Sequence, residues 1–181
     1  MIRAPARRRT LGRRLFAPDP ESRALRRLAR AAAGQSAARP LDALQQVADL
    51  AKELTNARYG ALVVIDGRDN VEGFVASGLT PEEERRLKSA PQGHGPLGTM
   101  RQDGLAVRID DLTEHAKAFG FPPRHPGMKT LMGVPIWVGP SLRGALYVTD
   151  RDGGRPFRDD DEITLRVLAR HAATVIDSSW Y

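Results

Sequence analysis

The chain contains no cysteine. That excludes disulfides, iron–sulfur clusters, thiolate zinc sites, a thiol nucleophile and any pigment held through a thioether bond. Long apolar runs are missing too. The longest unbroken aliphatic stretch is Ala61-Leu62-Val63-Val64-Ile65, far short of the roughly 20 apolar residues that cross a bilayer. The basic N-terminus has no apolar core or small-residue cleavage site and does not read as a secretory signal. A soluble cytoplasmic protein is therefore expected. There is no G-x-S-x-G elbow, no Walker-type phosphate loop and no H-E-x-x-H histidine pair, so the chain is not expected to be an enzyme.

What is present is one ordinary globular length, 181 residues with a formal net charge of +6. The charge is uneven. Residues 1–40 carry eleven arginines against Asp19 and Glu21, a balance of +9, whereas residues 41–181 carry 17 basic and 20 acidic groups. The basicity belongs to a leader, residues 1–20, whose Pro5, Pro18 and Pro20 interrupt a run of charge and predict disorder. No aromatic residues interleave with its arginines, so a nucleic-acid partner is not expected.

Residues 21–40 read as a short helix, Glu21 to Ala33, and a linker. The remainder, 41–181, reads as one α+β domain. A helix from about Leu41 to Asn56 carries the stripe Leu44, Val47, Leu50 and Leu54. Strands follow at Tyr59–Asp66 and Val71–Ser77, joined by turn chemistry at 67–70. Thr80 is placed to cap a helix beginning at Pro81, and a helical turn is expected over Gly95–Arg101. After a short strand near Ala106–Ile109, residues 110–128 form a long irregular segment of the kind that is often functional. Two strands, Lys129–Val138 and Leu142–Asp150, meet at the turn Gly139-Pro140. A last helix opens at Asp159 or Asp160, with Leu165, Leu168, Ala172 and Val175 along one side. Short connections make neighbouring strands antiparallel, with the terminal helices on one sheet face.

Alternation in the Leu142–Asp150 strand puts Leu142, Gly144, Leu146 and Val148 towards those helices. Arg143, Ala145, Tyr147 and Thr149 point the other way. A tyrosine between alanine and threonine, beneath a proline-rich segment, predicts a semi-polar ligand pocket on that second face.

From about Leu41 to its C-terminus the chain resembles a GAF domain, a small-molecule sensory module. Phe157-Arg158-Asp159-Asp160-Asp161-Glu162 fits the family's phenylalanine, three residues, acid–acid signature. The segments Ala57-Arg58-Tyr59-Gly60-Ala61-Leu62, Gly120-Phe121-Pro122-Pro123-Arg124-His125-Pro126-Gly127-Met128, Gly133-Val134-Pro135 and Gly144-Ala145-Leu146-Tyr147-Val148-Thr149-Asp150 are similar to an actinobacterial subgroup. That subgroup includes the haem-binding GAF domains of mycobacterial dormancy-survival sensor kinases. The resemblance implies haem b held by His125 as proximal ligand, with Tyr147 on the distal side; haem also needs an apolar slot, parts of which Phe119, Phe121, Met128, Leu131 and Met132 could supply. It implies gas or redox sensing. Two departures are Gly127, where a second proline is usual, and Met132, where leucine is typical.

Two other outcomes stay open: a haem-free GAF module binding a small organic molecule or anion, and a structural adaptor with a collapsed pocket. The lack of cysteine excludes covalent bilin attachment and the chemistry of GAF-type methionine sulfoxide reductases. No kinase machinery follows Trp180-Tyr181, so the signal is expected to leave through a homodimer or a separate signalling protein. Leu25, Leu28 and the outer face of the last helix are the expected dimer seam. His94, His115 and His171 have no ligand pattern around them and are read as loop, capping and helix-edge histidines.

Overall fold

The computed structural model describes residues 18–33, 39–86, 100, 104–112 and 128–180. The basic leader up to residue 17 and the helical turn expected at Gly95–Arg101, apart from Met100, lie outside the described residues, as do His94 and His115. The elements in chain order are α1 (Pro20–Ala33), α2 (Pro40–Thr55), β1 (Ala57–Ile65), β2 (Val71–Ser77), α3 (Pro81–Arg86), β3 (Val107–Ile109), β4 (Leu131–Val138), β5 (Ser141–Arg151) and α4 (Asp159–Ser179). They form a five-stranded antiparallel sheet in the order β2-β1-β5-β4-β3, an α+β arrangement as expected.

The periodicities explain the layering. In α2 the buried positions Leu44, Val47, Ala48 and Ala51 recur at helical spacing, and Asn56 ends the helix in a left-handed conformation. In α4, Leu165, Leu168, Ala172 and Ile176 do the same. Both stripes pack on one sheet face with Leu62, Val64, Met132, Val134, Ile136, Leu146 and Val148. Each fully buried leucine or isoleucine here contributes roughly 1.5–3 kcal/mol. Leu28, expected at a dimer seam, packs against this core, while Leu25 is exposed.

One expected face assignment is corrected. Gly144, Leu146 and Val148 do face the helices, but Leu142 packs with the cluster on the opposite face. The cause is a register shift in the β4–β5 ladder: Ile136 pairs with Gly144, yet Trp137 pairs with Leu142. The extra residue, Arg143, inverts the alternation beyond it. Arg143 is itself buried, donating from Nε to the Ile65 carbonyl at 2.9 Å and from Nη2 to Glu72 at 2.9 Å.

Candidate functional site

The sheet face away from α2 and α4 carries Tyr59, Ala61 and Val63 from β1, opposite Thr149, Tyr147 and Ala145 of β5. On the other side of β5, Leu131, Gly133 and Pro135 of β4 pair with Thr149, Tyr147 and Ala145. Val107 and Ile109 of β3 extend this face past Gly133 and Leu131. Tyr147 therefore stands at the centre of the sheet, flanked by alanine on β1 and glycine on β4.

Gly133 sets the tyrosine's place. A Cβ at this position would lie 2.6 Å from the Tyr147 ring and would also strike the Met100 methyl group. Only a residue without a side chain lets both lie there. Met100 is fully buried among Val63, Ile65 and Ala145, with Phe74, Val107, Leu142 and Tyr147 packed around them. Its carbonyl accepts the Gly104 N–H at 2.8 Å, and Gly104 has φ +64. Enclosure in these apolar surroundings pushes the Tyr147 phenol well above its ordinary ionisation range. At physiological pH it is a neutral donor and acceptor.

Two residues along the same face, the Thr149 Oγ1 is buried and has no hydrogen-bond partner. Buried hydroxyls are nearly always bonded, and an exception calls for a reason. Replacing Thr149 with valine removes a polar atom that folding has desolvated without compensation. Thr149→Val is therefore expected to leave folding stability unchanged or raise it by up to about 1 kcal/mol, measured by urea denaturation. A loss above that size would mean that the hydroxyl is bonded.

Tyr59 closes the end of the face. Its hydroxyl donates to Glu83 Oε1 at 2.7 Å, and the Arg58 guanidinium lies 4.8 Å from its ring centre. Glu83 in turn accepts the Thr80 N–H at 2.8 Å, and Thr80 Oγ1 accepts the Glu83 N–H, so Thr80 caps α3 as its sequence suggests. Burial first, then the bond to Glu83, pushes the Tyr59 phenol up to about 12. Folding thus favours the protonated phenol. Its contribution is complete below about pH 10, the unfolded value, and is lost as pH rises through about 12. A tyrosinate absorbance titration should show this late step in the wild type and lose it in Tyr59→Phe.

The residues expected around the ligand divide into four groups. Tyr147 and Leu131 share the face just described. Met128 is half-buried immediately ahead of β4. His125, Phe119 and Phe121 lie outside the described residues. Met132 does not belong with the others: it pairs with Val148 and packs in the core beneath the helices. Neighbouring strand residues point to opposite faces, so Leu131 and Met132 cannot line one wall.

The segment containing His125 begins and ends beside the tyrosine face. Leu112 N–H donates to the Lys129 carbonyl at 2.6 Å and closes its base. Asp150 Oδ1 accepts the backbone N–H groups of Lys129, at 2.6 Å, and of Thr130. Asp150 has φ +54, an uncommon conformation for a side-chain-bearing residue. Beyond this kink Arg151 reaches α4, with its Nε 3.3 Å from Asp161 Oδ2. The N–H is not aimed at the carboxylate, so this is an ion pair without a hydrogen bond, and Nε and Nη1 lack partners. Asp161 also accepts the Arg158 N–H at 2.8 Å. Helix α4 opens at Asp159, as expected, with Arg158 at its N-cap and Asp161, its third residue, bonding back to the Arg158 N–H. Asp159 and Glu162 hold Arg108 of β3 at 2.9 and 3.2 Å.

Gly133 and Met100 carry the character of this face without having been marked as site residues by the sequence, and Thr149 was marked only as the polar neighbour of Tyr147. Alternation placed Thr149 beside Tyr147 but gave no sign that its hydroxyl is unbonded. Met100 comes from a distant segment and had no local signal. A surface groove of about 890 Å3 lies elsewhere, between the end of α2 and the turn after β5. Its Lys52, Arg58, Lys129 and Arg151 are matched by Asp49, Glu53, Asp150 and Asp152, so it attracts neither sign of charge. Among the described residues, no cluster of three or more histidine or acidic groups could hold a metal, and no helix is long and apolar enough to cross a membrane.

A family model described as GAF domain matches residues 37–177. Among solved structures, the chain is similar to the GAF domain of a phosphoenolpyruvate-protein phosphotransferase from Acinetobacter, at 19% identity and TM-score 0.68, covering 91% of this chain and 96% of that one. It is similar to a free methionine-R-sulfoxide reductase from Neisseria meningitidis solved with its substrate, at 17% identity and TM-score 0.65, covering 91% and 94%. The second GAF domain of DevS from Mycobacterium smegmatis aligns at 21% identity and TM-score 0.56, covering 78% and 95%. Identities this low speak for the shared fold.

Proposed function

The chain belongs to the GAF domain family, and from that premise we propose that it is a non-catalytic sensory module whose small-molecule ligand lies on the Tyr147 face. The observation that supports this most is a pair of polar groups set into an apolar wall. The neutral Tyr147 phenol makes no hydrogen bond to a described residue, and the Thr149 hydroxyl is buried without a partner. Families of this kind are ligand-binding and signalling modules, and a ligand offering a hydrogen-bonding group would complete both.

Haem b is the specific ligand that the resemblance supplies, with His125 as the axial imidazole. The described residues suit one side of it: Tyr147 is a neutral donor, Leu131, Ala61 and Ile109 form an apolar wall, and the flanking positions are small. Chain length is compatible as well. His125 is four residues before Lys129 and so within roughly 14 Å of it, while Tyr147 pairs with Gly133, four residues beyond Lys129 in the other direction. Haem iron, when bound, supplies a coordination position for a diatomic gas. In this chain His125 would hold the iron, Tyr147 would donate a hydrogen bond to a bound gas, and the surrounding apolar side chains would exclude water. Purified protein given haemin is expected to develop a Soret band that His125→Ala removes; no band in the wild type would reject haem.

The haem-free reading rests on Thr149. Its hydroxyl favours a ligand carrying a polar group close to the sheet, such as a small organic molecule or anion. In that case native mass spectrometry of the purified protein should show an added small mass that Thr149→Val and Tyr147→Phe reduce.

A further inference from the structure

We propose that Met100 is the specificity-determining residue of the Tyr147 site, a movable plug whose position sets how large a ligand the sheet face accepts. This rests on the ligand-site reading above and goes beyond it by assigning the residue that controls size.

The hollow that Met100 fills has an unusual origin. Along β4 the same face presents Leu131, Gly133 and Pro135, so the wall drops away at the one position without a side chain. The Met100 methyl and the edge of the Tyr147 ring meet in that gap. The floor beside it is Ala145, fully buried, and Val63. From the strands, the edge of the Tyr147 ring enters this space, and Met100 takes the rest. It is filled only because a residue from outside the sheet reaches in.

Methionine suits a reversible filler. Its unbranched thioether side chain has three rotatable bonds and adapts to irregular gaps, where leucine or isoleucine would be held in few rotamers. The plug also borders a polar group. Withdrawing it exposes the Tyr147 ring on the side facing Gly133, which gives an incoming ligand both a cavity and a hydrogen-bonding phenol.

With Met100 seated, the site takes only a compact ligand lying beside it, over Ala61 and Tyr147. A planar macrocycle resting on Gly133 requires the side chain to leave. The ligand class is therefore set by one side chain: small and partly apolar with a hydrogen-bonding group when Met100 is in, larger and flat when it is out.

The test compares wild type, Met100→Ala and Met100→Phe in haemin titrations read by the Soret band. Met100→Ala should bind haemin at least tenfold more tightly than wild type, and Met100→Phe at least tenfold more weakly. Equal affinities in all three would overturn the proposal. If none of them binds haemin, the haem reading fails on its own, and benzene decides the plug. An apolar cavity left by a truncated side chain can bind benzene. Saturating benzene should then raise the melting temperature of Met100→Ala but not of wild type, and no rise would overturn the proposal. Should Met100→Ala not fold, Met100→Val leaves a smaller cavity and takes its place in both measurements.

Discussion

Gly133→Val is expected to destabilise the fold by about 3 kcal/mol, the upper part of the usual range for forcing extra atoms into a packed interior, and to abolish ligand binding on the Tyr147 face. The first carbon of the new side chain already collides with the Tyr147 ring and the Met100 methyl. Two more methyl groups must then displace one of them. Urea denaturation measures the first effect. The second is read as loss of the Soret band or of the co-purified mass. A thermodynamic cycle sharpens the assignment. If Met100 occupies the space, Gly133→Ala should cost clearly less in a Met100→Ala background than alone, because neighbours in contact are not additive. Additive costs would place Met100 away from Gly133.

Asp161→Ala should be comparably damaging for another reason. Arg151 and Asp161 are both largely buried, with side chains 11% and 6% exposed. Removing the acid leaves a guanidinium whose Nε and Nη1 already lack hydrogen bonds. Breaking a buried pair from one side costs about 3–5 kcal/mol, and the bond to Arg158 N–H at the start of α4 is lost as well. Asp161→Asn keeps an acceptor for that N–H and should lie between wild type and alanine. Adding Arg151→Met to Asp161→Ala should recover part of the loss, since an apolar side chain then occupies the buried space. A cost below about 1 kcal/mol for Asp161→Ala would show the pair to be solvated, as surface pairs are.

These two sites lie at the ends of one path. Tyr147 and Thr149 lie on the face proposed for the ligand, Asp150 holds the backbone ahead of β4, and Arg151 engages the first turn of α4. Strand β5 thus joins the ligand face directly to the last helix.

The elements of this fold were legible because long periodic stripes and turn residues reported them directly. The stripes of α2 and α4 and the two-residue alternation in β5 each carry many residues voting the same way. What alternation could not report was its own interruption. The extra residue at Arg143 sends Leu142 to the other face, and a register shift depends on the partner strand as much as on the strand itself. Met132 was misplaced for a simpler reason: it was grouped with Leu131 by proximity in the chain, although strand geometry separates them. The run Asp159-Asp160-Asp161 marked the start of α4 at Asp159, while the bond from Arg158 N–H back to Asp161 follows from Asp161 being third in the helix. Of the site, Tyr147 was legible from its neighbours in the strand. Met100 and the bare position at Gly133 were not, since their contact joins segments more than thirty residues apart.

The most direct test is an electron-density map of the protein as purified and after incubation with haemin. The account predicts non-protein density against the Tyr147 ring, within hydrogen-bonding distance of its hydroxyl, with the Met100 side chain displaced when the occupant is haemin. A face closed entirely by the chain's own side chains under both conditions, or an occupant bound elsewhere, would contradict it.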